Sequence, residues 1–247
     1  MPAEPILAVR KIFKRYEGLI ALAGVEFEVA SGEIFGVIGP NGAGKTTLFS
    51  CLVGATAPRS GRIYFRGERI DGLPNHAIVQ RGLVRTHQIV RPFREMTVAE
   101  NVSIGAHFGS GKRRRKDAEE RVIEILARTS LSSRAGALAG TLTIGELKRL
   151  EIARALATEP QVLCLDEVMG GLNPSEIVGA MSLIRAIRDS GVTVLMIEHH
   201  VHAVRGISDR ILVLNFGRKI AEGKPAEVMR DPEVVRAYLG EETTVGA

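Results

Sequence analysis

The stretch Gly39-Pro40-Asn41-Gly42-Ala43-Gly44-Lys45-Thr46 limits what this chain can fold into more than any other. It fits G-x-x-x-x-G-K-[ST] at every fixed position. An alternating run, Glu33–Ile38, precedes it, and a segment with Leu48, Cys51 and Leu52 on one helical face follows. Strand, glycine-rich turn and helix in that order predict a phosphate cradle. The glycines let the backbone wrap an anion with its N–H groups pointing inward, and the helix N-terminus adds positive potential. Lys45 is placed to reach the β- and γ-phosphates of a nucleotide, and Thr46 to offer its hydroxyl to Mg2+. Thr47 completes the candidate nucleotide-binding run that begins at Gly39.

Such a cradle needs a carboxylate for its metal ion. Val162-Leu163-Cys164-Leu165-Asp166-Glu167 supplies one at the end of an apolar strand, where ligands gather in parallel sheets. Asp166 is expected to hold the metal through water and Glu167 to polarise the attacking water. An apolar run ending in two acids means little alone, and becomes specific beside the cradle.

The rest of the chain predicts an α/β fold. Val25–Val29 and Arg62–Phe65 read as early strands, and Gln161–Leu165, Val192–Ile197 and Ile211–Leu214 as buried strands around a helix at Ser175–Arg188. Continuous apolar strands separated by helices imply a mostly parallel sheet covered on both faces. The pattern turns helical from about residue 88 to 160, with Val122, Ile125 and Leu126 in register, and reads as an insertion. Thr143-Ile144-Gly145-Glu146 and Asn173-Pro174-Ser175-Glu176 both have the form of a capping box. The first should open a helix with Leu147 and Leu150 inward and Lys148, Arg149 and Arg154 outward.

Composition excludes several classes. Hydrophobic residues at 45% and charged residues at 25% describe a folded globule rather than a disordered tail. The longest apolar runs are strand-length, against the ~20 residues a membrane span requires. Any membrane work would need other chains to cross the bilayer. Cys51 and Cys164 form no metal-ligand spacing and point to a reducing compartment, and residues 1–10 do not read as a secretory signal. The net charge of +5 and the run Lys112–Lys116 invite a nucleic-acid reading. Acidic residues follow the run at once and no aromatic interleaves it, so a solvated turn is expected, with contact to anionic lipid heads a further option and no nucleic-acid partner.

With these motifs in order, the chain resembles the ATP-binding cassette ATPases over nearly its whole length. Gln88 resembles the glutamine that joins core to helical subdomain. Leu142–Glu146 and the helix after it resemble the family signature, with Thr143, Gly145 and Glu146 as nucleotide contacts. Gly171-Leu172-Asn173-Pro174 resembles the dimer-contact loop, His199 the switch histidine and Tyr16 the aromatic that stacks on adenine. The resemblance implies a P-loop, RecA-like core (1–87 and 161–247) with an N-terminal antiparallel β region and an inserted α-helical subdomain (about 88–160), all in one domain.

It also implies ATP and Mg2+ as ligands, with Thr46, Gln88 and Asp166 on the metal and Glu167, His199, Gln88 and Lys45 as catalytic groups. The expected partners are a second cassette, identical or homologous, transmembrane permease subunits and, indirectly, a solute-binding protein. The expected location is cytoplasmic, on the inner face of the membrane. Ile197-Glu198-His199, Ile207–Arg210 and Ala237–Gly240 resemble the importer branch for branched-chain amino acids and related small polar solutes. Four residues depart from the wider family: Thr143-Ile144 stands for Ser-Gly, Glu146 for Gln, and Val168 for a proline. Two other readings stay open, a cassette ATPase of nucleic-acid repair or translation and a slowly hydrolysing regulatory module.

Overall fold

In the computed structural model, residues 4–86, 91–108 and 115–242 are described. The chain opens with a hairpin, β1 (Leu7–Tyr16) and β2 (Leu19–Val29), and then runs through β3 (Ile34–Ile38) into α1 (Lys45–Leu52). Next come β4 (Ser60–Phe65), β5 (Glu68–Arg69), α2 (Asn75–Arg81) and β6 (Leu83–Arg85). Three helices follow: α3 (Val98–Phe108), α4 (Arg115–Arg128) and α5 (Ile144–Ala157). The second half alternates β7 (Val162–Asp166), α6 (Pro174–Asp189), β8 (Thr193–Ile197), α7 (Val201–Ile207) and β9 (Arg210–Asn215). It ends with β10 (Arg218–Gly223), α8 (Pro225–Val228) and α9 (Pro232–Glu242).

The strands form two sheets, one antiparallel in the order β2-β1-β4-β5 and one in the order β10-β9-β3-β8-β7-β6. In the second, every pairing from β9 to β6 is parallel and only β10 is antiparallel. Side chains alternate across a strand, so a sheet buried on both faces needs apolar residues at every position. β3, β7 and β8 are buried at all five positions in each, and only Thr193 at the start of β8 and Asp166 at the end of β7 are polar. Ile34, Ile38, Leu163, Leu165, Val194 and Met196 pack on one face, in a core continuous with α3–α7. Phe35, Val37, Val162, Cys164, Leu195 and Ile197 pack on the other, with α1 and the antiparallel sheet.

Three features differ from the sequence expectations. β1 is a full strand that periodicity does not reveal, because Arg10 and Lys11 are both exposed and the register slips between Val9 and Ile12. A bulge shifts the inward positions and erases the alternation. β6 is only three residues long and extends the parallel sheet beyond β7. Lys148, Arg149 and Arg154 are half-buried instead of outward-facing, since α5 packs against both α3 and α4 and buries nearly its whole circumference. Arg154 lies over the Phe93 ring and donates to the Arg91 carbonyl.

Candidate functional site

The cradle follows β3 directly. Gly39, at φ 150°, admits no side chain, because a methyl group there would collide with the Leu214 carbonyl oxygen of β9. Gly44, at φ 101°, is the N-cap of α1, and a methyl group there would strike the Ala21 carbonyl oxygen of β2. The two flanking strands thus set the turn and require glycine at both positions. Asn41, Gly42 and Thr46 are exposed, Thr47 is half-buried and Ala43 is buried. Lys45 is only 5% exposed, and its Nζ donates to the carbonyls of Gly39 (2.6 Å) and Pro40 (2.8 Å). Its ammonium is therefore held inside the loop.

Asp166 ends β7, fully buried, with its N–H donated to the Thr86 hydroxyl. One carboxylate oxygen pairs with the Arg85 guanidinium, and Oδ1 is buried with no hydrogen-bond partner. Arg85, the last residue of β6, also donates to Ser50 Oγ of α1 at 3.1 Å and lies over the Phe49 ring. Sequence reasoning missed it, since β6 itself was not apparent. A buried carboxylate oxygen without a donor, at the end of the strand that leads into Glu167, is chemistry that suits a hard divalent cation.

Glu167 follows in a left-handed conformation, φ 51°, which a glutamate adopts only where its surroundings impose it. Its N–H donates to the Ile197 carbonyl, and its own carbonyl accepts from Gly170 N–H and Lys148 Nζ. Pinned this way, the side chain reaches His199, with Oε1 2.7 Å from Nε2. His199 is exposed, which rules out a structural core histidine. His200 and His202 are exposed as expected.

Glu198, only 1% exposed, accepts from Met169 N–H at 2.8 Å. Burial pushes its carboxyl up to about 7; the Met169 bond opposes the shift, nearby Glu167 adds to it, and Lys148 opposes it. This buried acid was read from sequence only as a branch marker.

The cradle, Glu167 and His199 share one cleft of about 320 Å³ that runs from Tyr16, Leu19 and Ile20 past Asn41–Thr47, with Phe216 on its rim. Tyr16 is 45% exposed there, with Lys14 Nζ 4.9 Å from its ring centroid, so it is not a packed strand aromatic. Phe216, 83% exposed in the β9–β10 turn, is a rim residue that sequence reading did not single out.

Thr143, Gly145 and Glu146 line a separate, smaller cavity with Leu172 and Glu176. They form the N-terminus of α5 as a complete capping box: Glu146 N–H donates to Thr143 Oγ1 (3.3 Å), and Thr143 N–H to Glu146 Oε2 (2.9 Å). A methyl carbon added at Gly145 would sit 2.6 Å from Glu176 Oε1, so the Glu176 carboxylate would have to shift. Ile144 is 61% exposed, whereas Val168 is buried in the core. Gln88 lies outside the described residues, as do Ile89, Val90 and residues 112–114 of the basic run.

A glycine-locked cradle, an Asp-Glu pair at a strand end and a histidine on the glutamate define a P-loop nucleotide hydrolase. The family described as ABC transporter matches residues 22–170, and the one described as branched-chain amino acid ATP-binding cassette transporter matches residues 218–244. The chain therefore belongs to the ABC transporter family and is an ATP-binding cassette ATPase. It is 43% identical to the high-affinity branched-chain amino acid transport ATP-binding protein BraF of Pseudomonas aeruginosa, covering 97% of this chain and 99% of that protein. The corresponding protein LivG of Escherichia coli is 42% identical over the same shares. Among solved structures, the ADP conformation of MJ1267, an ATP-binding cassette of an ABC transporter, superposes with a TM-score of 0.88 at 32% identity, covering 96% of this chain and all of that one. No helix among the described residues is long and apolar enough to cross a membrane.

Proposed function

We propose that this chain is the motor subunit of an importer for branched-chain amino acids or a related small polar solute. Two cassettes close on ATP at the cytoplasmic face of transmembrane permease subunits, which a solute-binding protein supplies. The observation that carries the reading is the Glu167–His199 pair set over the cradle in one cleft. Identity to BraF and LivG along the full chain supports the solute class.

In this reading Lys45 leaves the Gly39 and Pro40 carbonyls for the β- and γ-phosphates, while Tyr16 stacks on the base. Glu167 orients the water and takes its proton, and His199 donates to the γ-phosphate. Thr46 and Asp166, with Gln88, would hold Mg2+, which would supply charge neutralisation to the phosphates. A single cassette gives the α5 N-terminus no phosphate to meet. Thr143 and Gly145 therefore act on the nucleotide of the opposite cassette, across the Gly171–Pro174 loop. Thr143 Oγ1 accepts within its own cap and keeps its proton for phosphate.

The permease is assigned to the segment Ile89–Gly105, which includes Arg91, Pro92 and Phe93; its Ile104 and Gly105 line a groove of about 480 Å³ with Val79, Arg85, Glu151 and Arg154. Residues 88–160 move as the helical arm against the core of 1–87 and 161–247.

The test is uptake of labelled leucine by vesicles holding the reconstituted transporter. The intact chain should support ATP-dependent uptake and the Glu167→Gln chain none. Equal uptake by both would end the assignment of the motor site. ATP hydrolysis that no branched-chain amino acid stimulates would end the assignment of the solute.

A further inference from the structure

The first turn of α5 carries a charge problem that the proposed function leaves open. Glu146 places a carboxylate at the helix end that must receive a γ-phosphate. A first-turn acid favours the helix by itself, but it opposes an incoming anion. The cap does not need the charge, because a glutamine at this position closes the same box.

The structure supplies a counter-charge. Arg134 ends a short 3₁₀ turn at Ser132–Arg134, and its backbone is held at both ends: its N–H donates to the Leu131 carbonyl and its carbonyl accepts from Ala137 N–H. Its Nε lies 2.9 Å from Glu146 Oε1, while Glu146 Oε2 accepts from Thr143 N–H. One oxygen of Glu146 thus accepts a backbone N–H and the other lies in ion-pair range of the Arg134 guanidinium. The Thr143 bond and the Arg134 charge together lower the Glu146 carboxyl below its ordinary range, so the group is ionised at neutral pH.

We infer that Arg134 is a positioning residue of the signature: it holds and neutralises Glu146, so that the start of α5 presents no net negative charge to the γ-phosphate on the opposite cassette. This rests on the proposal that the signature closes on a second cassette's ATP. Arg134 acts through Glu146, and removing the carboxylate removes the need for the arginine.

The experiment uses the Glu167→Gln chain, in which ATP persists, and measures Mg-ATP-dependent dimerisation by sedimentation at low salt. ATP affinity of the dilute chain and the thermal midpoint are recorded in parallel. Arg134→Ala, and Arg134→Gln as the variant closer in length, should weaken dimerisation about tenfold, the scale of one poorly screened like-charge contact, with ATP affinity unchanged. Raising salt to about 0.5 M should shrink the defect, because both side chains are partly open to solvent.

Adding Glu146→Gln to either variant should restore dimerisation to within about twofold, since the cap survives and the charge is gone. Normal dimerisation of both arginine variants would overturn the inference. So would a defect that Glu146→Gln leaves in place, which would make Arg134 a prop for the helical arm. A parent chain that binds ATP and stays monomeric refutes a sandwich of identical cassettes, and the inference for that sandwich, before any change at Arg134.

Discussion

His199 Nε2 sits 2.7 Å from Oε1 of Glu167, and Glu167 itself is held in a left-handed conformation by bonds to Ile197, Gly170 and Lys148. The histidine, the glutamate and the signature helix thus meet at one residue. Lys148 comes from α5, so any shift of that helix is felt directly at the Glu167 backbone.

Glu167→Gln should bind ATP with the affinity of the unaltered chain and lose turnover by about 100-fold or more, the range of a general base. A phosphate-release assay checks it. Turnover near that of the parent would place the base elsewhere.

Lys45→Ala should lose nucleotide binding itself, because the buried ammonium is the charge held inside the cradle. The expected result by calorimetry is no measurable ATP binding where the parent binds. An unchanged affinity would contradict the assignment of the cradle.

Arg85→Ala removes the counter-charge of a fully buried carboxylate and leaves Asp166 with neither oxygen paired. Breaking a buried pair from one side costs about 3–5 kcal/mol. The thermal midpoint should fall steeply, and Arg85→Ala with Asp166→Asn should recover part of the loss. A variant as stable as the parent would show that the pair is not desolvated.

Glu198 predicts a pH dependence of stability. Its folded-state value of about 7 lies above the ordinary 4.5, so folding favours the protonated form. That contribution is full below pH 4.5 and is lost as the pH rises through 7. Relative to Glu198→Gln, the native chain should therefore lose stability across this window, by up to about 3 kcal/mol. Denaturant melts of both chains at several pH values measure it, and a gap that is flat with pH would refute the burial of the acid.

The nucleotide site was legible in the sequence to the extent that it is local. The cradle is one uninterrupted run, and its glycines are required by backbone geometry. The capping boxes at Thr143 and Asn173 form over four residues, and both occur as read. The central strands were legible because burial on both faces demands an unbroken apolar run.

What the sequence by itself determined is therefore the cradle, the Asp166-Glu167 strand end, the α/β alternation and the helix starts. Each arises from residues adjacent in the chain, whose bonding is set by spacing. Only the tertiary structure decided that Arg85 pairs with Asp166 across 81 positions and that Glu198 is a buried acid beside Glu167. It alone brought Arg134 to Glu146 and turned Lys148 inward to the Glu167 carbonyl. Charged side chains carry no periodic signal of their partners. Their pairing depends on where the sheet order and the packing of α3–α5 set them, and on the desolvation that makes an unpaired charge costly.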